Sequence, residues 1–237
     1  FPTRRSSDLK LDHFFVFFQE ELVNGELFSE SNQIMAMDAY GNLVIDFAKP
    51  CVMYPASQKG LIYINGKQDN SIPANLFNDG VADLSELKIS YLNDNQFKLP
   101  RQEEFCIVCE NKKGVSKPIR ILPRPAKVVI VKCTTPEEIE QGRDEYPIYL
   151  NVENGGDRPA NISSIAFLFS QKGNDISSHY TVQASPDNSK NLIQGVPLQL
   201  SYTVRVESRK PVKTNSIEAK IKGFDADSIL PIKAKKN

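Results

Sequence analysis

From Leu198 to Glu207 the chain alternates without a break. Leu198, Leu200, Tyr202, Val204 and Val206 are apolar, while Gln199, Ser201, Thr203, Arg205 and Glu207 are polar. A period of two places each set on its own side of an extended backbone, so the segment suits a half-buried strand and no helix. Shorter versions of the pattern recur around it. Ile148, Leu150 and Val152 alternate with Tyr149, Asn151 and Glu153, and Ile217, Ala219 and Ile221 with Glu218, Lys220 and Lys222. Ile165, Phe167 and Phe169 supply a further apolar face, Tyr180, Val182 and Ala184 another, and residues 127–132 a first strand. Asn154-Gly155-Gly156-Asp157 separates two of these runs as a turn. Short strands punctuated by turn residues, with no helical period, predict an antiparallel β-sandwich for the second half.

The first half follows the same plan. In Ala36-Met37-Asp38-Ala39-Tyr40-Gly41-Asn42-Leu43-Val44-Ile45-Asp46-Phe47, two apolar runs meet at Tyr40-Gly41-Asn42. Gly41 takes positive φ without strain and Asn42 tolerates it, so one strand is expected to end at Asp38 and another to begin at Leu43. Further strands are expected over 11–18, 33–38, 51–54, 61–64, 87–91, 105–109 and 115–121. Hairpin turns are expected at Asn65-Gly66 and over 111–114. In Gln33–Met37 both alternating sets are apolar, which leaves the register open. Asp83-Leu84-Ser85-Glu86 reads as a short helical turn. Phe14-Phe15-Val16-Phe17-Phe18, with charged residues on either side, reads as a buried strand, or as an aromatic binding platform.

Pro118, Pro123 and Pro125 bracket a stretch that suits a short, semi-rigid connection, because proline fixes φ and removes a donor. The expected organisation is therefore one sandwich over 10–123 and a second over 124–237. Phe1-Pro2-Thr3-Arg4-Arg5-Ser6-Ser7-Asp8-Leu9 looks like a sequencing-adapter oligonucleotide translated in frame. Residues 1–9 are accordingly left out of the fold expectation, and the chain is expected to be a fragment of a longer protein.

Lys+Arg and Asp+Glu are equal at 29 each, so no net field steers the chain toward nucleic acid or an acidic membrane. No apolar run approaches the roughly 20 residues of a membrane helix. Sequence signatures of a nucleophile elbow, a zinc protease helix, a phosphate loop and a dinucleotide loop are all missing, and no catalytic residue or cofactor is expected. His13 and His179 stand alone, and the basic Lys233, Lys235 and Lys236 read as a solvated terminus or a cut linker. Asp38 and Asp46 flank the Tyr-Gly-Asn turn and are candidate Ca²⁺ ligands; alternatively Asp38 satisfies the backbone of the turn. Asp225 and Asp227, followed by Ser228, raise the same pair of readings. Of the four cysteines, Cys106 and Cys109 form a C-x-x-C on a strand, where positions i and i+3 face opposite sides, so a shared zinc is not expected. Buried free thiols are one reading of Cys51, Cys106, Cys109 and Cys133; a bridge from Cys51 to Cys106 or Cys109 is the other.

Leu11-Asp12-His13-Phe14, Val23-Asn24-Gly25-Glu26-Leu27-Phe28, Met37–Asn42, Phe77-Asn78-Asp79-Gly80-Val81-Ala82 and Gly114-Val115-Ser116 resemble segments of bacterial immunoglobulin-like modules, which occur in tandem in surface and secreted proteins. The second half resembles the CARDB-like, cell-adhesion-related sandwich. Ile139-Glu140-Gln141-Gly142, residues 148–156, Tyr180-Thr181-Val182, Ile193-Gln194-Gly195, residues 202–206 and Gly223–Ser228 carry that likeness. The four cysteines and the stretch 92–104 depart from the pattern. The resemblance implies extracellular display and a structural or adhesive role as a spacer or stalk, and it supplies no functional residues. The partners it implies are neighbouring domains of the same polypeptide, surface polysaccharide or a host or matrix protein. Two other roles fit the same chain: a glycan- or matrix-binding module, and an accessory arm of a secreted hydrolase. The absence of Trp lowers the case for a sugar-stacking platform.

Overall fold

The computed structural model describes residues 10–28, 32–94, 98–136, 145–207 and 216–236. Within them the chain is all-β, with three short 3₁₀ turns and no α-helix. It divides into two compact units, one ending at Pro123 and the other starting at Arg124.

Unit 1 opens with β1 (His13–Phe17), β2 (Glu21–Val23), β3 (Gln33–Met37) and β4 (Cys51–Pro55). Next come β5 (Leu61–Ile64), β6 (Lys67–Gln68), β7 (Ser71–Ile72), β8 (Phe77–Asn78) and β9 (Val81–Asp83). It closes with β10 (Ile89–Leu92), β11 (Arg101–Glu103), β12 (Phe105–Cys109), β13 (Lys112–Val115) and β14 (Ile119–Leu122). Hydrogen bonding orders them as β1-β3-β9-β8, β10-β5-β6, β11-β14-β2 and β13-β12-β4-β7. Nearly all pairs are antiparallel; β2, however, runs parallel to β14, because the chain leaves β3's side after β1 and crosses to the last strand. One core collects the inward residues, among them Phe14, Val16, Ile34, Ala36, Met53, Ile72, Phe105, Ile107 and Ile121. Phe105 sits at its centre, with Phe18, Phe28 and Tyr91 at ring separations of 5.9, 5.4 and 5.3 Å.

Unit 2 contains β15 (Val128–Thr134), β16 (Tyr146–Asn154), β17 (Ala160–Gln171), β18 (Asn174–Asp175), β19 (Tyr180–Ala184), β20 (Asn191–Leu192), β21 (Leu198–Val206), β22 (Ser216–Asp225) and β23 (Pro231–Lys236). They form the sheets β15-β16-β21-β19 and β18-β17-β22-β23, with β20 pairing β17. Ile148, Leu150, Val152, Leu200 and Val204 from one sheet meet Ala160, Phe169, Ala219 and Ile221 from the other. Two aromatic pairs span the gap: Phe169 stacks on Tyr180 at 4.2 Å, and Phe167 meets Tyr202 edge-on at 4.9 Å.

Several expectations are corrected. Leu43 makes only an isolated bridge to Met37, and Val44–Phe47 form no strand; Val44 and Phe47 instead drop into the core as an irregular plug. The aromatic run is buried on one side only, since alternation along β1 leaves Phe15 and Phe17 about half exposed. In β3 the open register resolves with Ile34 and Ala36 inward. The hairpin expected over 111–114 turns at Glu110-Asn111, because Cys109 already pairs with Lys112 and Glu110 takes the positive φ. Asn65-Gly66 does turn a hairpin, between β5 and β6, with both residues at positive φ. The expected strand 115–121 is split between β13 and β14, which pair with different partners. The expected helical turn at Asp83 is a 3₁₀ turn over Leu84–Glu86, capped by the Asp83 carboxylate accepting from the Ser85 N–H at 2.9 Å. The basic C-terminal run is an edge strand, β23, whose Lys235 pairs with Glu218 at 3.2 Å. Ile139-Glu140-Gln141-Gly142, one of the segments that carry the CARDB-like likeness, lies outside the described residues, as do residues 1–9.

Candidate functional site

Asp38 follows β3 and is buried. Its Oδ1 accepts the Tyr40 and Asn42 backbone N–H at 2.9 and 2.8 Å, and the Asn42 amide donates to Oδ2 at 3.0 Å. The carboxylate thus holds the turn that the intervening Gly41 permits. Asp46 is exposed beyond it. In unit 2, Asp225 is buried where β22 ends, and it accepts the N–H groups of Ala126, Ser228 and Asp227 at 2.7, 2.9 and 3.0 Å. Burial alone would raise its pKa; those N–H groups outweigh it and hold the carboxyl below its ordinary value. Asp227 is exposed. Among the described residues no group of three or more His, Cys, Asp or Glu could hold a metal ion. His13 lies on the surface beside Asp12, and His179 closes the 3₁₀ turn Ser177–His179.

Cys51, Cys106 and Cys109 are buried and Cys133 is half-buried. The C-x-x-C diverges: Cys109 points into the core with Ile107 and Phe105, whereas Cys106 pairs with Tyr54 and the exposed Val115 and lies outside the core cluster.

A polar cluster that sequence reasoning missed sits under the 56–60 loop. The buried Glu103 carboxylate pairs with Arg101 and accepts from the Ser57 hydroxyl; it also takes the Ser57 and Glu104 N–H at 3.2 Å each. The Tyr91 hydroxyl donates to the Lys59 carbonyl at 2.7 Å. With its oxygens occupied by this many donors, Glu103 is built to hold a loop down rather than to take a proton from Ser57. No spacing in the sequence announces it, because Ser57 and Glu103 are 46 positions apart.

Unit 1 carries two open clefts. A cleft of about 810 Å³ runs along the outer side of β1. Phe15, Phe17 and Val115 give it an apolar floor, and Glu20, Glu21, Lys117 and Arg120 a charged rim. A second cleft, about 560 Å³, lies between β4 and the β5–β6 hairpin, where Tyr54 and Leu61 stand among Gln58, Gln68, Asp69 and Asn70. Its aromatic ring and its amide donors and acceptors match the chemistry of a hydroxyl-rich ligand.

No protein-family model matches the chain, and no curated protein matches it. Solved structures match only distantly. A Salmonella alpha-2-macroglobulin mutant shares 12% identity over 94% of this chain and 16% of its own length, with a TM-score of 0.30. Dimeric latent PorU from Porphyromonas gingivalis shares 11% over 95% of this chain and 24% of its own, at 0.27. A chimeric titin Z1Z2 shares 11% over 96% and 97%, at 0.25. The chain thus spans a quarter or less of the first two proteins, and at these scores neither topology nor activity is carried over from any of them. No helix among the described residues is long and apolar enough to cross a membrane.

Proposed function

We propose that this chain is a non-catalytic structural and adhesive segment, two immunoglobulin-like sandwiches in series, of a larger bacterial protein displayed at the cell surface or secreted. On this reading the second unit is of the CARDB-like kind, and the pair acts as a spacer for whatever lies beyond it. The observation that carries the reading is how little free chain joins the two cores. Leu122 still belongs to β14 and its carbonyl accepts the Asn24 N–H at 2.8 Å. Two residues later Arg124 is already clamped: its N–H bonds Asp157 Oδ2 at 2.8 Å, and its guanidinium bonds Oδ1 at 2.8 and 3.2 Å. Only Pro123 lies between, and its ring fixes its own φ. So short a connection suits a spacer.

Pulsed electron paramagnetic resonance between labels in the Asn65-Gly66 and Lys172-Gly173 turns tests it. A narrow distance distribution that broadens when a flexible Gly-Ser segment is inserted after Pro123 is the expected result. A distribution already as broad without the insertion would reject the spacer role.

The Tyr54 cleft favours a second reading, a module that binds surface polysaccharide or matrix glycan. Retention on a glycan array that is lost in Tyr54→Ala would favour this reading; no retention on any glycan would remove it.

A further inference from the structure

We infer that Cys51 and Cys109 are the two halves of a cross-strand disulfide that ties β4 to β12 and is made before unit 1 closes. The inference rests on strand register and does not depend on the proposed role. In the β12–β4 pair Phe105 faces Pro55, Cys106 faces Tyr54, Ile107 faces Met53 and Val108 faces Val52, so the next antiparallel step sets Cys109 opposite Cys51. The other bridge that the sequence left open, Cys51 to Cys106, is excluded by the same register, because Cys106 lies opposite Tyr54 on the other face of the sheet.

The hydrogen bonds further specify what kind of pair this is. Ala56 N–H donates to the Glu104 carbonyl at 2.7 Å, which makes that opposing pair a hydrogen-bonded one. Because the two kinds alternate along an antiparallel ladder, Pro55–Phe105, Met53–Ile107 and Cys51–Cys109 are the non-hydrogen-bonded pairs. Two outward-pointing groups agree: the Phe105 carbonyl accepts from Ser116 at 2.9 Å, and Met53 N–H donates to the Asn70 carbonyl at 2.8 Å, both away from the shared ladder. Residues of a non-hydrogen-bonded pair have Cα atoms about 4.5 Å apart, inside the range of about 4.4–6.8 Å that a disulfide spans. Both cysteines point into the core, alternating with the exposed Val52 and half-buried Val108. The Cys51 thiol donates to the Lys49 carbonyl at 3.8 Å, on the same strand end that faces Cys109. Just outside them, Lys49 and Glu110 form an exposed ion pair at 2.7 Å across the two strand ends.

The surroundings also indicate when the bond is made. Burial pushes the Cys51 thiol up to about 12, and burial raises that of Cys109 as well. Thiolate is the attacking species in exchange, so the closed unit would react slowly in either direction. The open chain meets no such barrier. One thiolate attacks a sulfur of a small disulfide oxidant, forming a mixed disulfide and releasing one thiol. The second thiolate then attacks the protein sulfur of that intermediate, forming the Cys51–Cys109 bond and releasing the second thiol. The protein loses two protons and two electrons, and the oxidant is reduced to two thiols.

The test is refolding of the full chain in a mixture of reduced and oxidised glutathione, followed by denaturation, alkylation and peptide mapping. The expected product carries alkyl groups on Cys106 and Cys133 alone and yields a linked peptide containing Cys51 and Cys109. A Cys106→Ser/Cys133→Ser variant is expected to form the same link. Relative to its reduced form, its unit 1 transition should rise by about 10 °C, since the bridge closes a long loop in the unfolded chain. Four alkylated cysteines after oxidative refolding, or a link through Cys106 or Cys133, would overturn the inference. So would oxidation of the folded, reduced chain as fast as that of the unfolded one.

Discussion

Asp157 shows how much structure one carboxylate can organise. Its side chain is nearly buried and bonds the Arg124 N–H and guanidinium, along with the Gln194 amide at 2.9 Å. Removing one partner of a fully buried ion pair costs about 3–5 kcal/mol, but Arg124 is one-third exposed and water compensates part of the loss. Asp157→Ala is therefore expected to destabilise unit 2 by about 2 kcal/mol in urea titration of the whole chain. Asp225 adds a pH dependence. Its folded pKa lies below its ordinary value of 3.8, so its contribution is complete above that value and is lost as pH falls through it toward the folded pKa. Acid titration of the unfolding midpoint below about pH 5 should show this loss, and Asp225→Asn should flatten the slope by up to about one proton. Both aspartates could be noticed in the sequence as turn residues. What they bond to could not, because Ala126 reaches Asp225 across 99 positions.

Among the elements, β1 and β13 meet without sharing a ladder. A Cβ built on Gly114 would lie 2.3 Å from the Phe14 carbonyl oxygen and 2.5 Å from the Phe14 Cβ, so only glycine allows the two backbones this approach. Gly114→Ala is expected to cost unit 1 about 1–3 kcal/mol, because the clash is with backbone and has to move a strand. Hydrogen exchange should show β1 and β13 opening first while β15–β23 keep their protection. Strands with a clean period of two were the legible ones: Leu198–Val206 stands where the alternation puts it. The two-residue strands β6, β7, β8, β18 and β20 were not, because so short a segment has no period to read. The expected Leu43 strand failed for a related reason. Val44 and Phe47 are apolar because they fill a gap in the core, where Phe47 contacts Phe77 at 4.7 Å and Phe14 at 5.4 Å.

On the scale of the whole molecule, each unit closes a core of its own. Denaturation is expected to resolve two transitions. Phe105→Ala, which empties the centre of the aromatic cluster, should lower the unit 1 transition by about 3–5 kcal/mol and leave the other in place. Differential scanning calorimetry distinguishes this from a single cooperative unfolding, in which both would shift together.

The sequence by itself determined that this chain is built of strands, and which residues of the long strands face inward, because a period of two depends only on backbone geometry and the aversion of apolar side chains to water. It also marked the turns at Gly41 and Asn65-Gly66, since positive φ selects glycine and asparagine locally, but not the one at Glu110. Only the tertiary structure decided which strands become neighbours, and with that everything that depends on neighbours. That includes the parallel seam of β2 with β14, the burial of Glu103 beneath Ser57, the exposure of Phe15 and Phe17, and the facing of Cys51 by Cys109. Those pairings depend on contacts between residues tens of positions apart, and alternation along one strand carries no information about its partner.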